Sequence, residues 1–209
     1  MMYCIALIGD IRSSRDLDDR GKVQRSLQEC LTDLNKQYND VLISPLTITL
    51  GDEFQALLGC AEEIWKIIFK IECQMYPTRI RFGIGIGNIS TDINTKSAIG
   101  MDGPAFYSAR HAMQEIKKSE DCYKIKGLEK DEELTNNMLT LISDNKIKWE
   151  ENRIKIFHDL LEHKKVNAIA LNIGISQTAV YKNISDGSLK VIGKIMQAFS
   201  EKINQQIGR

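Results

Sequence analysis

The sequence predicts an α+β domain, with an antiparallel sheet covered by helices, followed by an all-α helix-turn-helix domain. Hydrophobic periodicity switches between strand-like and helix-like over the first part of the chain and is purely helical in the last part. Residues 1–150 carry a net charge of −4 and residues 151–209 one of +4, which favours two modules with different partners. We therefore predict an α+β domain over 1–128, a helical linker over 129–148 and a DNA-binding domain over 149–209.

The α+β domain is predicted in the order strand, helix, hairpin, helix, strand, helix, strand. Residues 3–8 form a short apolar run closed by Gly9 and Asp10, which is typical of a buried strand. Apolar residues at helical spacing and alternating apolar residues predict the other elements. The predicted helices cover 22–38, 61–76 and 105–118, and the predicted strands cover 45–50, 54–58, 79–89 and 123–125.

Two short helices around a glycine turn are predicted in the last domain, over 166–172 and 176–184. Ala170 allows the helices to approach, and Gly174 supplies the positive φ of the turn. Ser176 is a good N-cap for the second helix. The exposed face of that helix then carries the residues expected to reach DNA bases or phosphates, which are Ser176, Gln177, Thr178, Tyr181 and Lys182. The alternative is a helical hairpin that makes only protein contacts.

Composition indicates a globular cytoplasmic protein with no membrane partner. Hydrophobic residues make up 43% of the chain, yet no run of about 18 apolar residues occurs. The five cysteines and three histidines lack metal-site spacing, so reduced core cysteines are expected. The glycines at 83, 85 and 87 alternate within a strand and begin no dinucleotide-binding turn.

Two aspartates from distant parts of the chain suggest a metal site. Asp10 leaves a buried strand and Asp52 lies at the tip of a hairpin, so both carboxylates meet if those strands are neighbours. Paired carboxylates are what divalent ions bridging nucleotide phosphates require. The alternative is two unrelated aspartates in turns.

Four segments resemble class III nucleotide cyclases, in the order found in that family: ALIGDIRSSR, TLGDEFQALL, RIRFGIGIGNI and GPAFYSAR. The combination of these segments with a C-terminal helix-turn-helix is closer still to the SatD family of bacterial proteins. The resemblance implies that Mg²⁺ or Mn²⁺ binds Asp10, Asp52 and the Ile11 carbonyl, and that Arg110 contacts the transferring phosphate. It also implies a homodimer.

The sequence departs from the cyclase pattern at two positions. The cyclase lysine that reads the purine falls on Ile48, and the asparagine that positions the ribose falls on Phe106. Asp102 could read the base, but its spacing from Arg110 does not match the pattern. Metal and phosphate chemistry is therefore expected to survive without the familiar purine selection.

A basic loop follows the first aspartate. Arg12, Ser13, Ser14 and Arg15 could bind a triphosphate through backbone amides and guanidinium groups, and we group Gly51 of the hairpin with them as a ligand-binding residue. The alternative is a solvated basic turn.

These observations support three hypotheses. The first is a DNA-binding regulator whose cyclase-like domain binds a metal-nucleotide or related phosphate ligand. The alternative is a divergent nucleotide cyclase or nucleotidyl transferase that makes a signalling nucleotide. The third is an interaction protein that keeps a relic site.

Overall fold

A computed structural model describes residues 3–14 and 19–209. Arg15 of the predicted basic loop lies outside the described residues. Within them the strands are β1 (Tyr3–Ile11), β2 (Leu42–Leu50), β3 (Glu53–Leu58), β4 (Ile80–Asn88) and β5 (Tyr123–Lys126). The helices are α1 (Arg20–Gln37), α2 (Ile64–Met75), α3 (Pro104–Ile116), α4 (Glu132–Lys146), α5 (Glu151–Leu161), α6 (Val166–Ile173), α7 (Gln177–Asp186) and α8 (Leu189–Ile207).

The five strands form one mixed sheet in the order β2-β3-β1-β4-β5. The first four are antiparallel to their neighbours and, with α1 and α2, form the βαββαβ arrangement of ferredoxin-like folds. The prediction of an antiparallel sheet is wrong for β5, which runs parallel to β4. The reason is the connection through α3, which crosses over and returns the chain in the direction of β4.

One face of the sheet is covered by α3. The glycines of β4 allow this close packing, because a Cβ at Gly83 would lie 2.6 Å from the carbonyl oxygen of Ala109. Gly87 lies against the helix start at Pro104, so α3 runs antiparallel to β4. The C-terminal end of α3 therefore reaches the sheet edge where β1 ends and β4 begins.

The other face of the sheet is covered by α1 and α2, and the C-terminal helices pack onto α2. The rings of Phe69 in α2 and Phe157 in α5 lie 4.5 Å apart, and Trp149 contacts Phe157 at 5.3 Å. The hydroxyl of Tyr38 donates to a Glu162 carboxylate oxygen at 3.1 Å. One continuous apolar core thus runs from β1 to α8. The predicted domain boundaries stay a prediction, but the C-terminal helices have no core of their own.

The segment predicted as a helix-turn-helix has the expected local geometry. Gly174 ends α6 with φ of +78°, and the buried side chains of Ile169, Ala170 and Val180 lie between α6 and α7. The Ser176 hydroxyl accepts a hydrogen bond from the Ala179 N–H and caps α7. The packing does not confirm a separate all-α domain, because the same apolar core includes residues of the sheet and of the C-terminal helices.

Among the described residues, no helix combines the length and the apolar character needed to cross a lipid bilayer.

Candidate metal and phosphate site

Asp10 and Asp52 lie at the same edge of the sheet. β1 and β3 are neighbours, with Asp10 opposite Glu53, the residue that follows Asp52. The Ile11 N–H donates to the Asp52 carbonyl at 3.1 Å, which fixes the hairpin tip against the end of β1. Asp10 is buried, with 7% of its surface exposed. The strand adjacency on which the sequence argument depended is therefore present.

Two cations face the Asp10 carboxylate. The Lys117 ammonium lies 2.9 Å from Oδ1, and a terminal nitrogen of Arg81 lies 3.8 Å from Oδ2. Lys117 follows the end of α3, whereas Arg81 lies directly opposite Asp10 on β4. Three elements of the fold thus place two positive charges on one carboxylate.

The Arg81 guanidinium lies beside Asp10 in a largely buried position. Its side chain is only 16% exposed, and its Nε is buried without a hydrogen-bond partner among the described residues. A guanidinium has five N–H donors and loses water at each one that is buried. The charge of Arg81 is therefore held close to Asp10 in a largely buried position.

The basic loop after β1 is held by contacts at both ends. The Arg12 N–H donates to the Arg79 carbonyl at 2.8 Å, and the Arg12 guanidinium pairs with Glu120. Ser13 adopts a left-handed conformation with φ of 53°, and the Ser14 hydroxyl donates to the Asp52 carboxylate. The loop therefore reaches one of the two predicted metal ligands.

Three arginine side chains lie near the Glu120 carboxyl, next to the basic loop. The Arg12 guanidinium lowers the pKa of the Glu120 carboxyl through a hydrogen bond and its charge, and Arg81 and Arg79 lower it further. Gly51 lies on the hairpin side of the site with φ of +55°, and its carbonyl accepts from the Gln24 amide at 3.0 Å.

The residues present fit a divalent ion bound together with phosphate. No group of three or more His, Cys, Asp or Glu suited to a metal occurs among the described residues. The carboxylates that would hold a divalent ion are those of Asp10 and Asp52. Mg²⁺ commonly binds to one or two carboxylates, substrate phosphates and water. The Lys117 ammonium already places a positive charge on Asp10. The donor set does not fit a metal held by protein atoms alone.

The residues implied by the cyclase pattern on α3 are not brought to this site within one chain. Arg110 is exposed and lies seven residues before Lys117, about 10 Å along the helix. Phe106 is buried at 2% exposure in the core under α3, so it cannot contact a ribose. Ile48 packs against the core, and Asp102 accepts a hydrogen bond from the Tyr107 hydroxyl at 2.6 Å.

The predicted DNA-contacting residues are all exposed at the start and along one side of α7. They are Ser176, Gln177, Thr178, Tyr181 and Lys182. They lie on the C-terminal helices, in a different part of the fold from the acidic pair.

Sequence reasoning missed Lys117, Arg81 and Glu120. Arg81 becomes visible only when β4 is paired with β1 in register, which places it opposite Asp10. Lys117 requires knowing that α3 runs antiparallel to β4. A polar residue opposite Asp10 in a neighbouring strand was the available signal for Arg81.

Comparison with known proteins places the chain in a family. Three solved structures are similar to part of this chain: a bacterial light-regulated adenylyl cyclase (TM-score 0.44, 15% identity, 59% of this chain and 43% of that one), the guanylyl cyclase Cya2 (0.39, 16%, 52% and 68%) and the guanylate cyclase domain of RhGC from Catenaria anguillulae in complex with GTP (0.36, 16%, 52% and 71%). No curated protein matches. The SatD family matches over residues 4–202, and the chain therefore belongs to the SatD family.

Proposed function

We propose that this chain binds a nucleoside polyphosphate together with Mg²⁺ or Mn²⁺ at the edge where β1 and the β2–β3 hairpin meet. The observation that carries the proposal is the placement of Asp10 at the end of β1 and Asp52 in the turn before the adjacent strand β3, with Lys117 and Arg81 beside Asp10. Acids alone would suit a cation and bases alone an anion. Their juxtaposition suits a metal-bound phosphate, which presents both charges.

In this proposal each residue has a distinct role. Asp10 and Asp52 hold the divalent ion, with the Ile11 carbonyl as a further ligand. The divalent ion, when bound, neutralises phosphate charge and polarises the phosphoryl oxygens. Lys117 and Arg81 pair with Asp10 in the protein alone and turn to the phosphate oxygens in the complex. The loop of Arg12, Ser13 and Ser14 closes the side next to Asp52.

The reaction that this site would support is nucleotidyl transfer. A hydroxyl oxygen forms a bond to the α-phosphorus, the bond from that phosphorus to pyrophosphate breaks, and the hydroxyl proton is released to water. The favourable effect comes from holding the phosphate in line and from stabilising the charge that develops on it. Arg110 is exposed on α3 at a distance from the acidic pair. It would contribute only from a second copy of the chain, so this activity requires a homodimer.

The test uses the full chain with each nucleoside triphosphate and Mg²⁺ or Mn²⁺, with calorimetry for binding and chromatography for new nucleotides. We expect metal-dependent binding that is lost in Asp10→Asn and Asp52→Asn. Asp33→Asn is the matched control, because Asp33 is an exposed acid on α1. A new nucleotide that disappears in Asp52→Asn identifies an enzyme, whereas binding without product identifies a sensor. Equal binding by wild type and both site variants refutes the proposal.

DNA binding through α7 is a second candidate function. It is favoured by the exposure of five polar side chains at and after the capped start of α7, and by the net charge of +4 over residues 151–209. Gln177 would contact bases and Lys182 phosphates. We expect Lys182→Ala to weaken binding to a duplex and to reduce its salt dependence, as measured by gel shift at several salt concentrations. Failure of the wild type to shift any duplex at low salt excludes this function.

A further inference from the structure

The helices α4 and α8 lie side by side and antiparallel at the surface of the molecule. At one end, the Lys202 ammonium of α8 pairs with Asp131, which precedes α4. At the other end, Asn145 of α4 and Ser188, which precedes α8, line the same groove. The two helices therefore run alongside each other over almost the whole length of α4.

Both helices expose an apolar stripe along the groove between them. Leu134 and Leu141 of α4 are 60% and 69% exposed, and Val191 of α8 is 59% exposed. The stripes have the same spacing of i, i+4 and i+7, which places their residues on one side of each helix. They consist of Leu134, Met138 and Leu141 on α4 and of Val191, Ile195 and Ala198 on α8, and we call them together the α4–α8 surface. Apolar side chains that are exposed as a continuous patch, rather than singly, are typical of an interaction surface.

The two helices of the α4–α8 surface carry charges of opposite sign. α4 has three acidic residues and one lysine, and α8 has three lysines and one acidic residue, so their net charges are −2 and +2. Glu133 and Asp144 of α4 are exposed, and so are Lys190 and Lys194 of α8. None of these four has an ion-pair partner among the described residues. The surface is therefore acidic along one side and basic along the other.

This pattern fits a second copy of the same chain. An acidic partner would be attracted to α8 and repelled by α4, and a basic partner would show the reverse. A second copy presents one acidic helix, one basic helix and the same two apolar stripes. Two-fold dimers use the same patch on both subunits, so a patch must be complementary to itself. The α4–α8 surface meets this requirement in both charge and apolar character.

We propose that two copies of the chain associate through the α4–α8 surface, with α4 of each copy against α8 of the other in a four-helix bundle. A two-fold axis parallel to the helices produces this arrangement. An axis across the helices would instead place α4 against α4 and bring like charges together. Rotation about the parallel axis keeps each residue at its level along the bundle. Asp144, which lies at the level of Ser188, therefore comes close to Lys190 of the second copy.

The bundle is a different contact from one that would bring Arg110 to a neighbouring nucleotide site, because Arg110 lies on α3. The inference therefore does not rest on nucleotide binding. α8 directly follows α7, so a bundle built on α8 also sets the distance between the two copies of α7.

Sedimentation equilibrium of the full chain, without metal or nucleotide, tests the proposal. We expect the wild type to form dimers at micromolar concentration. Leu141→Glu places a charge within the apolar interface and should raise the dimer dissociation constant at least about tenfold. Leu171→Glu is the matched control, because Leu171 is 83% exposed on α6, outside the α4–α8 surface, and should leave the dissociation constant unchanged.

An exchange of charges tests which helices face each other. Asp144→Lys brings a like charge to Lys190 of the second copy and should weaken the dimer about three- to tenfold. Adding Lys190→Glu makes the charges opposite again, so the double variant should return to within about twofold of the wild type. A double variant that dimerises no better than Asp144→Lys alone contradicts this packing of α4 against α8.

The outcomes are distinct from those of the nucleotide experiments, because no step uses a nucleotide. Weakening by Leu141→Glu but not by Leu171→Glu, together with recovery in the double variant, supports the proposal. Circular dichroism checks that the variants fold, and all the changed side chains are exposed in the single chain. A monomeric wild type, a dimer that Leu141→Glu leaves unchanged, or equal weakening by Leu171→Glu overturns the proposal.

Discussion

In the proposed site, Lys117 and a divalent ion compete for the Asp10 carboxylate, so removing the ammonium group should have opposite effects on the binding of metal alone and on the binding of the metal–nucleotide complex. The perturbation is Lys117→Met, which keeps the length of the side chain and removes the ammonium group 2.9 Å from Asp10 Oδ1. In the protein alone this ammonium must leave before a metal can approach that oxygen. Metal binding without nucleotide should therefore become tighter in the variant.

The exposure of the pair determines the magnitude. Two charges 2.9 Å apart attract by about 6 kcal/mol at an effective dielectric of 20 and by about 1.4 kcal/mol in water. The Lys117 side chain is 43% exposed, so the lower figure applies, and ordering the side chain reduces it further. A net value of about 0.5–1 kcal/mol corresponds to a two- to fivefold gain in Mn²⁺ affinity.

The nucleotide complex should respond in the opposite direction. With Mn²⁺ bound at Asp10, the Lys117 ammonium is free to pair with a phosphate oxygen, and a charge-assisted hydrogen bond of this kind at a half-exposed position contributes about 1 kcal/mol. Lys117→Met should therefore weaken binding of the Mn²⁺–nucleotide complex by about fivefold.

Calorimetric titration of Mn²⁺, first alone and then with a nucleoside triphosphate, measures both effects. Lys118→Met is the matched control, because Lys118 is the exposed neighbouring lysine and should change neither affinity. The reasoning fails if Lys117→Met changes both affinities in the same direction. It also fails if the control reproduces the effect.

Three predictions concern stability. Gly83→Ala should destabilise the fold by about 1–3 kcal/mol, because its Cβ would lie 2.6 Å from the Ala109 carbonyl oxygen; a urea midpoint equal to that of wild type would contradict this. Gly193→Ala makes the same change in a helix with room for it, so the same measurement should show a gain of up to about 1 kcal/mol. Burial, followed by the charge of Lys70, lowers the pKa of His158 below its ordinary 6.5, so the unfolded chain takes up the proton first and stability should fall as pH drops below about 6.5. His158→Gln should remove that part of the pH dependence, and an unchanged slope of stability against pH would contradict the assignment.

Local patterns were sufficient to predict most of the secondary structure. Short-range periodicity predicted the strand before Asp10 and the helix before Pro77. In the structure, both elements begin and end within a few residues of the predicted bounds. The direction of β5 was not predictable in this way. Whether a strand runs parallel or antiparallel depends on the crossover before it, and periodicity carries no information on that.

Of the candidate site, only the acidic residues were predictable from the sequence. Asp10 and Asp52 each mark a strand end, so their types and positions were readable from the sequence. Their cationic partners were not, because the pairing of Arg81 with Asp10 depends on strand register and that of Lys117 on helix direction. Phe106 lies where the cyclase pattern has the residue that positions the ribose, and its burial prevents such a contact.

The aromatic contact between α2 and α5 joins the sheet layer and the C-terminal helices within one apolar core. Removing the helices after Trp149 would leave the Phe69 ring without its partner at 4.5 Å and open the apolar centre of the molecule to water. The sheet and the C-terminal helices should therefore melt in a single cooperative transition. A ligand that strengthens either part will raise the stability of both.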